Sequence, residues 1–149
     1  MPKPNEPYRS DEEVEGVVRA FESCALPPAE FNHREHLVVA LCYLLRMGDD
    51  EALSRLRARL GRYVEAHGIS PSLYHETITV FWLRRVRAFA GRKALGGDLA
   101  GMANALAEEC GGSRLVFDYY SKDLIDSDAA RLGWVEPDLK PLDFCEGDG

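Results

Sequence analysis

The chain has 149 residues, of which 46% are hydrophobic and 29% charged, and its formal net charge at pH 7 is -7. This composition is typical of one soluble globular domain with a core of its own. The negative charge excludes nucleic acid and anionic membranes as simple electrostatic partners, and no segment approaches the ~18 consecutive apolar residues of a membrane span.

The four cysteines are far apart in the chain and form no C-x-x-C pair: they are Cys24, Cys42, Cys110 and Cys145. The first residues lack the apolar segment of a secretory signal. We therefore expect a cytoplasmic protein of bacterial type whose thiols are reduced, with Cys42 filling a helix.

The capping residues and apolar periods predict an all-α fold, a compact bundle of about five main helices. Residues 1–9 contain three prolines and are expected to form a flexible N-terminal arm. Residues 10–144 are expected to form a single helical domain, and residues 145–149 a flexible tail.

Each main helix is predicted to open at a capping residue and to close at glycine or proline breakers. In chain order these helices cover residues 10–24, 32–47, 49–67, 70–90 and 98–110. Ser70 is the predicted cap of the fourth helix, with Pro71 as its first residue. Ser113 is expected to cap a short helix that reaches Tyr120, and another short helix covers residues 127–132. An extended C-terminal strap follows, with four apolar residues expected to hold it on the bundle: Trp134, Leu139, Leu142 and Phe144.

The histidines are the most informative residue type, because the chain has only four and three lie on predicted apolar faces. In the fourth helix His75 shares the stripe of Trp82 and Phe89, whereas Thr77 and Arg84 are expected on the opposite side. His75 is therefore predicted to face the core.

In the second helix His33 shares its face with Leu37 and Ala40, and His36 lies at one edge of that face. Ala40 is small, so space beside His33 is expected. Glu35 lies opposite this face, and we expect it to form a capping box with Asn32.

Short connections make neighbouring helices antiparallel, so the second and fourth helices should begin at the same end of the bundle. His33, His36 and His75 then meet there, with His67 arriving from the third helix. If the fifth helix is antiparallel too, Cys110 joins them. Two helix N-termini at this end favour an anion and neutral imidazoles.

Neutral imidazole is a common metal ligand, and this supports the most specific hypothesis, a mononuclear divalent metal site. His33, His36 and His75 would be the ligands, and Glu76 a fourth ligand or a general base. Three protein ligands with an open position suit zinc, whereas two histidines and a carboxylate suit iron. Hydrolysis and oxygen chemistry both stay open.

Two further hypotheses stand beside the metal site. One is an organic or anionic small molecule bound without a metal, with His67, Arg114 and Tyr119 as additional binding residues. The other is a non-enzymatic helical protein whose histidines are structural and whose surface binds a protein partner. A homodimer is compatible with either hypothesis.

Three segments carry a resemblance to a family. They are Phe31-Asn32-His33-Arg34-Glu35-His36-Leu37, Tyr74-His75-Glu76-Thr77, and Ala130-Arg131 with Trp134-Val135-Glu136-Pro137-Asp138. Together they resemble an uncharacterised family of small bacterial helical proteins, over most of the chain beyond the N-terminal arm. The resemblance implies no activity, but it implies that the F-x-H-x-x-H-L and Y-H-E-T segments form one site.

Overall fold

A computed structural model describes residues 6–93 and 97–144, without the side chains of residues 92 and 93. Within those ranges the chain is helical and contains no strand, which confirms the all-α prediction. The main helices are α1 (Asp11–Glu22), α2 (His33–Arg46), α3 (Asp49–Ala66), α4 (Glu76–Lys93) and α5 (Leu99–Cys110). Three short helices follow, α6 (Val116–Tyr119), α7 (Lys122–Ile125) and α8 (Asp128–Leu132).

Several predicted caps are confirmed. The Ser10 hydroxyl accepts a hydrogen bond from the Glu13 amide at 3.2 Å at the start of α1. At the start of α2 the Glu35 carboxylate accepts from the Asn32 amide at 3.0 Å, which is its expected capping contact. Such caps satisfy amide groups that a helix start leaves without a partner.

The prediction for the start of the fourth helix is wrong by five positions. Ser70 and Pro71 form only a 3-10 turn, Pro71–Leu73, and Tyr74 returns to an extended conformation. The helix then begins at Glu76, after His75, whose Nδ1 accepts a hydrogen bond from the Ile78 amide at 3.1 Å. The chain therefore has two possible starts for this helix, and the helix begins where the His75 side chain caps it rather than at Ser70 and Pro71.

The C-terminal helices also differ from their predicted bounds. Ser113 caps nothing, since it lies inside a 3-10 turn, Ser113–Leu115, that leads into α6. Helix α7 was not predicted; Ser121 caps it by accepting from the Leu124 amide. Helix α8 lies within the predicted range 127–132, and the Ser127 hydroxyl caps it by accepting from the Ala130 amide.

Helices α2 and α4 lie at the centre of the fold and are buried on more than one side. In α2 every residue from Leu37 to Tyr43 is buried, so Cys42 fills the core as expected. Glu35, which was expected on the outer side of α2, is only 5% exposed. A prediction that assumes one apolar face and one solvent-exposed face underestimates burial in a helix that is surrounded by other elements.

Helix α4 separates two apolar clusters. Val86 and Phe89 join the main cluster, which α1 to α5 share. Phe81 lies in a second cluster that is completed by residues of the C-terminal helices, namely Val116, Tyr119, Tyr120 and Ile125.

The segment after α8 covers the side of α4 that was predicted to face solvent. Thr77 is fully buried there, and its hydroxyl donates to the Gly133 carbonyl at 2.7 Å and accepts from the Val135 amide at 3.2 Å. The expected outward position of Thr77 is therefore wrong, because the C-terminal segment docks on it. The Arg84 guanidinium, also predicted on that side, lies 4.2 Å from the ring centre of Trp134.

Three of the four strap residues pack against the second cluster, namely Trp134, Leu142 and Phe144. Leu139 does not, since it is 55% exposed. Near the other terminus Tyr8 is buried, although the prediction placed it in the flexible arm. The Asn104 side-chain amide holds its backbone, accepting from the Tyr8 amide at 2.8 Å and donating to the Tyr8 carbonyl at 2.9 Å.

Residues 1–5, the tail at residues 145–149 and Cys145 lie outside the described residues, so the predictions for them are not addressed by the structure. Of the other cysteines, Cys24 and Cys42 are free thiols. None of the helices described is both long enough and apolar enough to cross a membrane.

Candidate functional site

A cavity of about 540 Å³ lies between α2, α3 and α4, and the 3-10 turns and α6 close its sides. Its walls are mainly apolar and carry five aromatic side chains: Phe31, Tyr63, Tyr74, Trp82 and Phe117. Among the described residues that line it there is no Asp, Glu, Lys or Arg. The cavity is thus an uncharged, largely aromatic compartment.

The structure brings together the three histidines that helix phasing and connectivity place at one end. His33, His36 and His75 all line this cavity, and so does Ala40, where space was expected. The end of α5 reaches the same place, because the Cys110 carbonyl oxygen lies 2.9 Å from His33 Nε2. The antiparallel arrangement therefore accounts for the site.

His75 has a structural role at the start of α4. Its Nε2 lies 2.7 Å from the Ile125 carbonyl, and its Nδ1 accepts from the Ile78 amide. A carbonyl cannot donate and an amide cannot accept, so the neutral tautomer with its proton on Nε2 satisfies both contacts. Both ring nitrogens are therefore occupied, and His75 links the helix start to the end of α7.

His33 uses one nitrogen in the same way. Its Nε2–H donates to the Cys110 carbonyl, and its ring makes a T-shaped contact with Trp82, with ring centres 4.4 Å apart. Burial lowers the pKa of His33, and the hydrogen bond to the carbonyl offsets this in part. The ring is thus favoured in its neutral form.

His36 differs from the other two histidines that line the cavity, because neither of its ring nitrogens has a hydrogen-bond partner among the described residues. Its ring stacks on Phe31, with ring centres 3.8 Å apart and planes inclined by 18°. Desolvation by the surrounding protein lowers the pKa of His36 to about 4, and the nearby His33 makes a smaller contribution in the same direction. The side chain is nevertheless accessible to water. A neutral imidazole therefore faces the cavity at physiological pH, with one donor and one acceptor.

Glu76, the predicted base, does not line the cavity. Its carboxylate pairs with the guanidinium of Arg57 and accepts from the Tyr74 hydroxyl at 2.6 Å. The hydrogen bond from Arg57 is the main reason that the pKa of Glu76 is lowered. This ion pair stabilises the ionised form and makes Glu76 a weak proton acceptor.

The three additional binding residues that were predicted do not line the cavity. The Nε2–H of His67 donates to the Cys24 carbonyl at 2.9 Å, and the ring packs on Tyr63. Arg114 lies 5.4 Å from the ring centre of Phe117. Tyr119 belongs to the second apolar cluster and donates to Asp143.

The wall formed by α3 was missed by sequence reasoning. Leu60 and Tyr63 recur at helical spacing, which indicates a buried face but does not distinguish a filled core from a cavity wall. Leu73, which is 71% exposed and also lines the cavity, follows a Ser-Pro signal that predicted a helix instead.

The donor set does not fit the predicted three-histidine metal site as it stands. A metal ion needs a nitrogen lone pair from each imidazole directed at one point, and both nitrogens of His75 are already hydrogen-bonded. Within residues 6–93 and 97–144 no group of three His, Cys, Asp or Glu side chains is placed to hold a metal ion. Metal ligation would require His75 to give up its capping contact.

No protein-family model, no curated protein and no solved structure matches this chain. The resemblance carried by the F-x-H-x-x-H-L and Y-H-E-T segments therefore stays a prediction. The cavity itself is the feature from which a function can be inferred.

Proposed function

We propose that this protein binds a small, largely apolar organic molecule in the histidine-lined cavity. The observation that carries the proposal is the cavity, about 540 Å³ in volume and lined mainly by apolar and aromatic side chains. Ligand sites are typically ~300–1,000 Å³ with a few polar groups among apolar walls. The volume equals that of roughly 18 liquid waters, which suits a ligand of about a dozen to twenty non-hydrogen atoms.

A packing defect is a poorer explanation for a space of this size. Protein interiors have few voids larger than a water molecule, because unfilled apolar surface forfeits van der Waals contact. This cavity also opens to solvent, and an exposed leucine, Leu73, stands among its lining residues. Replacement of water in this open cavity by an apolar molecule is favourable, because it removes apolar surface from water.

The hydrogen bonds of His67 and His75 favour a structural role for these two histidines, as the protein-partner hypothesis holds. They do not account for the cavity or for the unbonded ring of His36. Ligand binding is therefore the better-supported function, and neither a metal nor a carboxylate base forms part of it.

The test is a fluorescence titration with N-phenylnaphthylamine, an uncharged aromatic probe that brightens in apolar surroundings. We expect saturable binding of one probe per chain. Ala40→Met places a flexible side chain in the cavity, and we expect it to weaken binding by at least about fivefold, since each displaced ligand atom contributes ~0.3 kcal/mol or more. Ala58→Met is the matched control, because Ala58 is exposed on α3 and does not line the cavity.

A second pair of variants avoids any disturbance of the core. Leu73 and Leu132 are 71% and 72% exposed, but only Leu73 lines the cavity. Leu73→Ala should weaken probe binding, whereas Leu132→Ala should leave it unchanged. Absence of saturable binding to the wild type, or equal affinity in both members of each pair, would refute the proposal.

A further inference from the structure

We infer that the ligand is an uncharged aromatic molecule with a hydroxyl or similar polar group that hydrogen-bonds to His36. This inference rests on the proposed function and names the ligand class for the same cavity.

The absence of charged side chains in the wall argues against an ionised ligand. None of the described lining residues is Asp, Glu, Lys or Arg, and the chain as a whole carries a formal charge of -7. A carboxylate or an ammonium group that entered would lose its hydration without gaining a charged partner, which is costly. An uncharged molecule incurs no such cost.

The aromatic rings of the wall favour a flat ligand. Phe31 lies just before α2 and Trp82 lies in α4, and each already packs a histidine ring, His36 and His33 respectively. Aromatic pairs gain about 0.5–1.5 kcal/mol beyond the burial of area. A planar ring placed among these side chains would continue the same packing.

His36 is the polar group best placed to orient such a ligand, because both of its ring nitrogens are available, whereas three of the lining hydroxyl groups already have partners. The Tyr63 hydroxyl donates to the Leu26 carbonyl at 2.7 Å, and the Thr79 hydroxyl donates to the His75 carbonyl at 2.8 Å. The Tyr74 hydroxyl donates to Glu76. His36 alone among the lining histidines has neither ring nitrogen hydrogen-bonded within the described part of the chain.

The protonation state of His36 indicates which ligand group it suits. Its pKa of about 4 keeps the ring neutral at physiological pH, so it offers one N–H donor and one acceptor nitrogen. A hydroxyl group also both donates and accepts, so it can use either nitrogen of the ring.

The experiment compares three ligands with one skeleton, naphthalene, naphthol and naphthoate, at neutral pH. Each is titrated against the N-phenylnaphthylamine complex of the full chain, and its affinity is obtained from displacement of the probe. We expect the wild type to bind naphthol about fivefold tighter than naphthalene, which is the effect of one net hydrogen bond. We expect naphthoate to bind at least about tenfold more weakly than naphthol.

Two variants of His36 then assign the preference to that ring. His36→Phe keeps an aromatic ring that can stack on Phe31 but has no hydrogen-bonding atom, so the naphthol-to-naphthalene ratio should fall to about one. His36→Gln restores a donor and an acceptor and should recover part of the ratio. Each ratio compares two ligands bound to the same variant, so a general loss of affinity leaves the ratio unchanged.

The outcomes separate this inference from the proposed function. If naphthoate binds as tightly as naphthol, or if the ratio persists in His36→Phe, the inference is overturned while ligand binding stands. If neither the probe nor any of the three compounds binds the wild type, the proposed function fails as well.

Discussion

Replacing Thr77 by valine should destabilise the protein far more than the same replacement two residues further on. Thr77 is fully buried, and its hydroxyl is hydrogen-bonded to two backbone groups of the C-terminal segment, the Gly133 carbonyl and the Val135 amide. Thr77→Val keeps the shape of the side chain but leaves both backbone groups without that partner.

The magnitude follows from the two hydrogen bonds. Each contributes about 1 kcal/mol net, and a buried partner left unsatisfied costs ~1–3 kcal/mol. Gly133 and Val135 are only half-buried, so water can reach their backbone groups in part. We therefore expect a loss of about 2 kcal/mol in the free energy of unfolding, near the lower end of that range. For a chain of 149 residues this lowers the Tm by about 4–8 °C.

Thr79→Val is the matched control on the same helix. The Thr79 hydroxyl donates to the His75 carbonyl, which also accepts from the Thr79 amide at 3.0 Å. Removal of this hydroxyl leaves no backbone group without a partner, so we expect a change within about 0.5 kcal/mol.

The assay is urea unfolding, followed by circular dichroism and by tryptophan fluorescence, since Trp134 lies in the segment that Thr77 holds. Equal losses of stability for Thr77→Val and Thr79→Val would refute the argument that the C-terminal segment is fastened to α4 through Thr77.

Three further predictions concern the site. The folded-state pKa of His36 is about 4, below its ordinary value of 6.5, so the unfolded chain binds the extra proton more readily between these values. The free energy of unfolding should therefore fall as the pH drops through this window. Urea unfolding at several pH values should show a smaller fall for His36→Gln than for the wild type. Parallel plots of unfolding free energy against pH for the two proteins would contradict this. Glu76→Gln breaks the ion pair with Arg57, whose side chain is 46% exposed, so we expect a loss of no more than about 1 kcal/mol and unchanged probe binding; abolished binding would show that Glu76 acts in the cavity. Because both nitrogens of His75 are hydrogen-bonded, a chelator should leave the Tm unchanged. Stoichiometric zinc or iron in untagged protein, lost in a His33→Ala, His75→Ala double variant, would revive the metal hypothesis.

The convergence of the histidines was predictable because it depends on local signals. Helix phase predicted inner positions for His33 and His75, and short connections predicted that α2 and α4 start at the same end. The capping role of Glu35 followed equally from its spacing to Asn32, and the structure confirms its contact with the Asn32 amide.

What could not be predicted depends on contacts between distant segments. The burial of Thr77 results from the docking of residues more than fifty positions later. The occupied nitrogens of His75 depend on α7, which carries no strong apolar period. A cavity is harder still, because the spacing of Leu60 and Tyr63 indicates burial without showing whether the neighbouring side chains fill the space.

The central claim is that the histidine-lined cavity binds an uncharged aromatic molecule, and the most direct test is an NMR titration of ¹⁵N-labelled protein with N-phenylnaphthylamine. We predict saturable shifts at one equivalent for the Ala40 and Thr79 amides, the Trp82 indole N–H and the His36 ring nitrogens, with Leu132 unaffected. The absence of saturable shifts, or shifts centred on the C-terminal segment around Leu139, would contradict it.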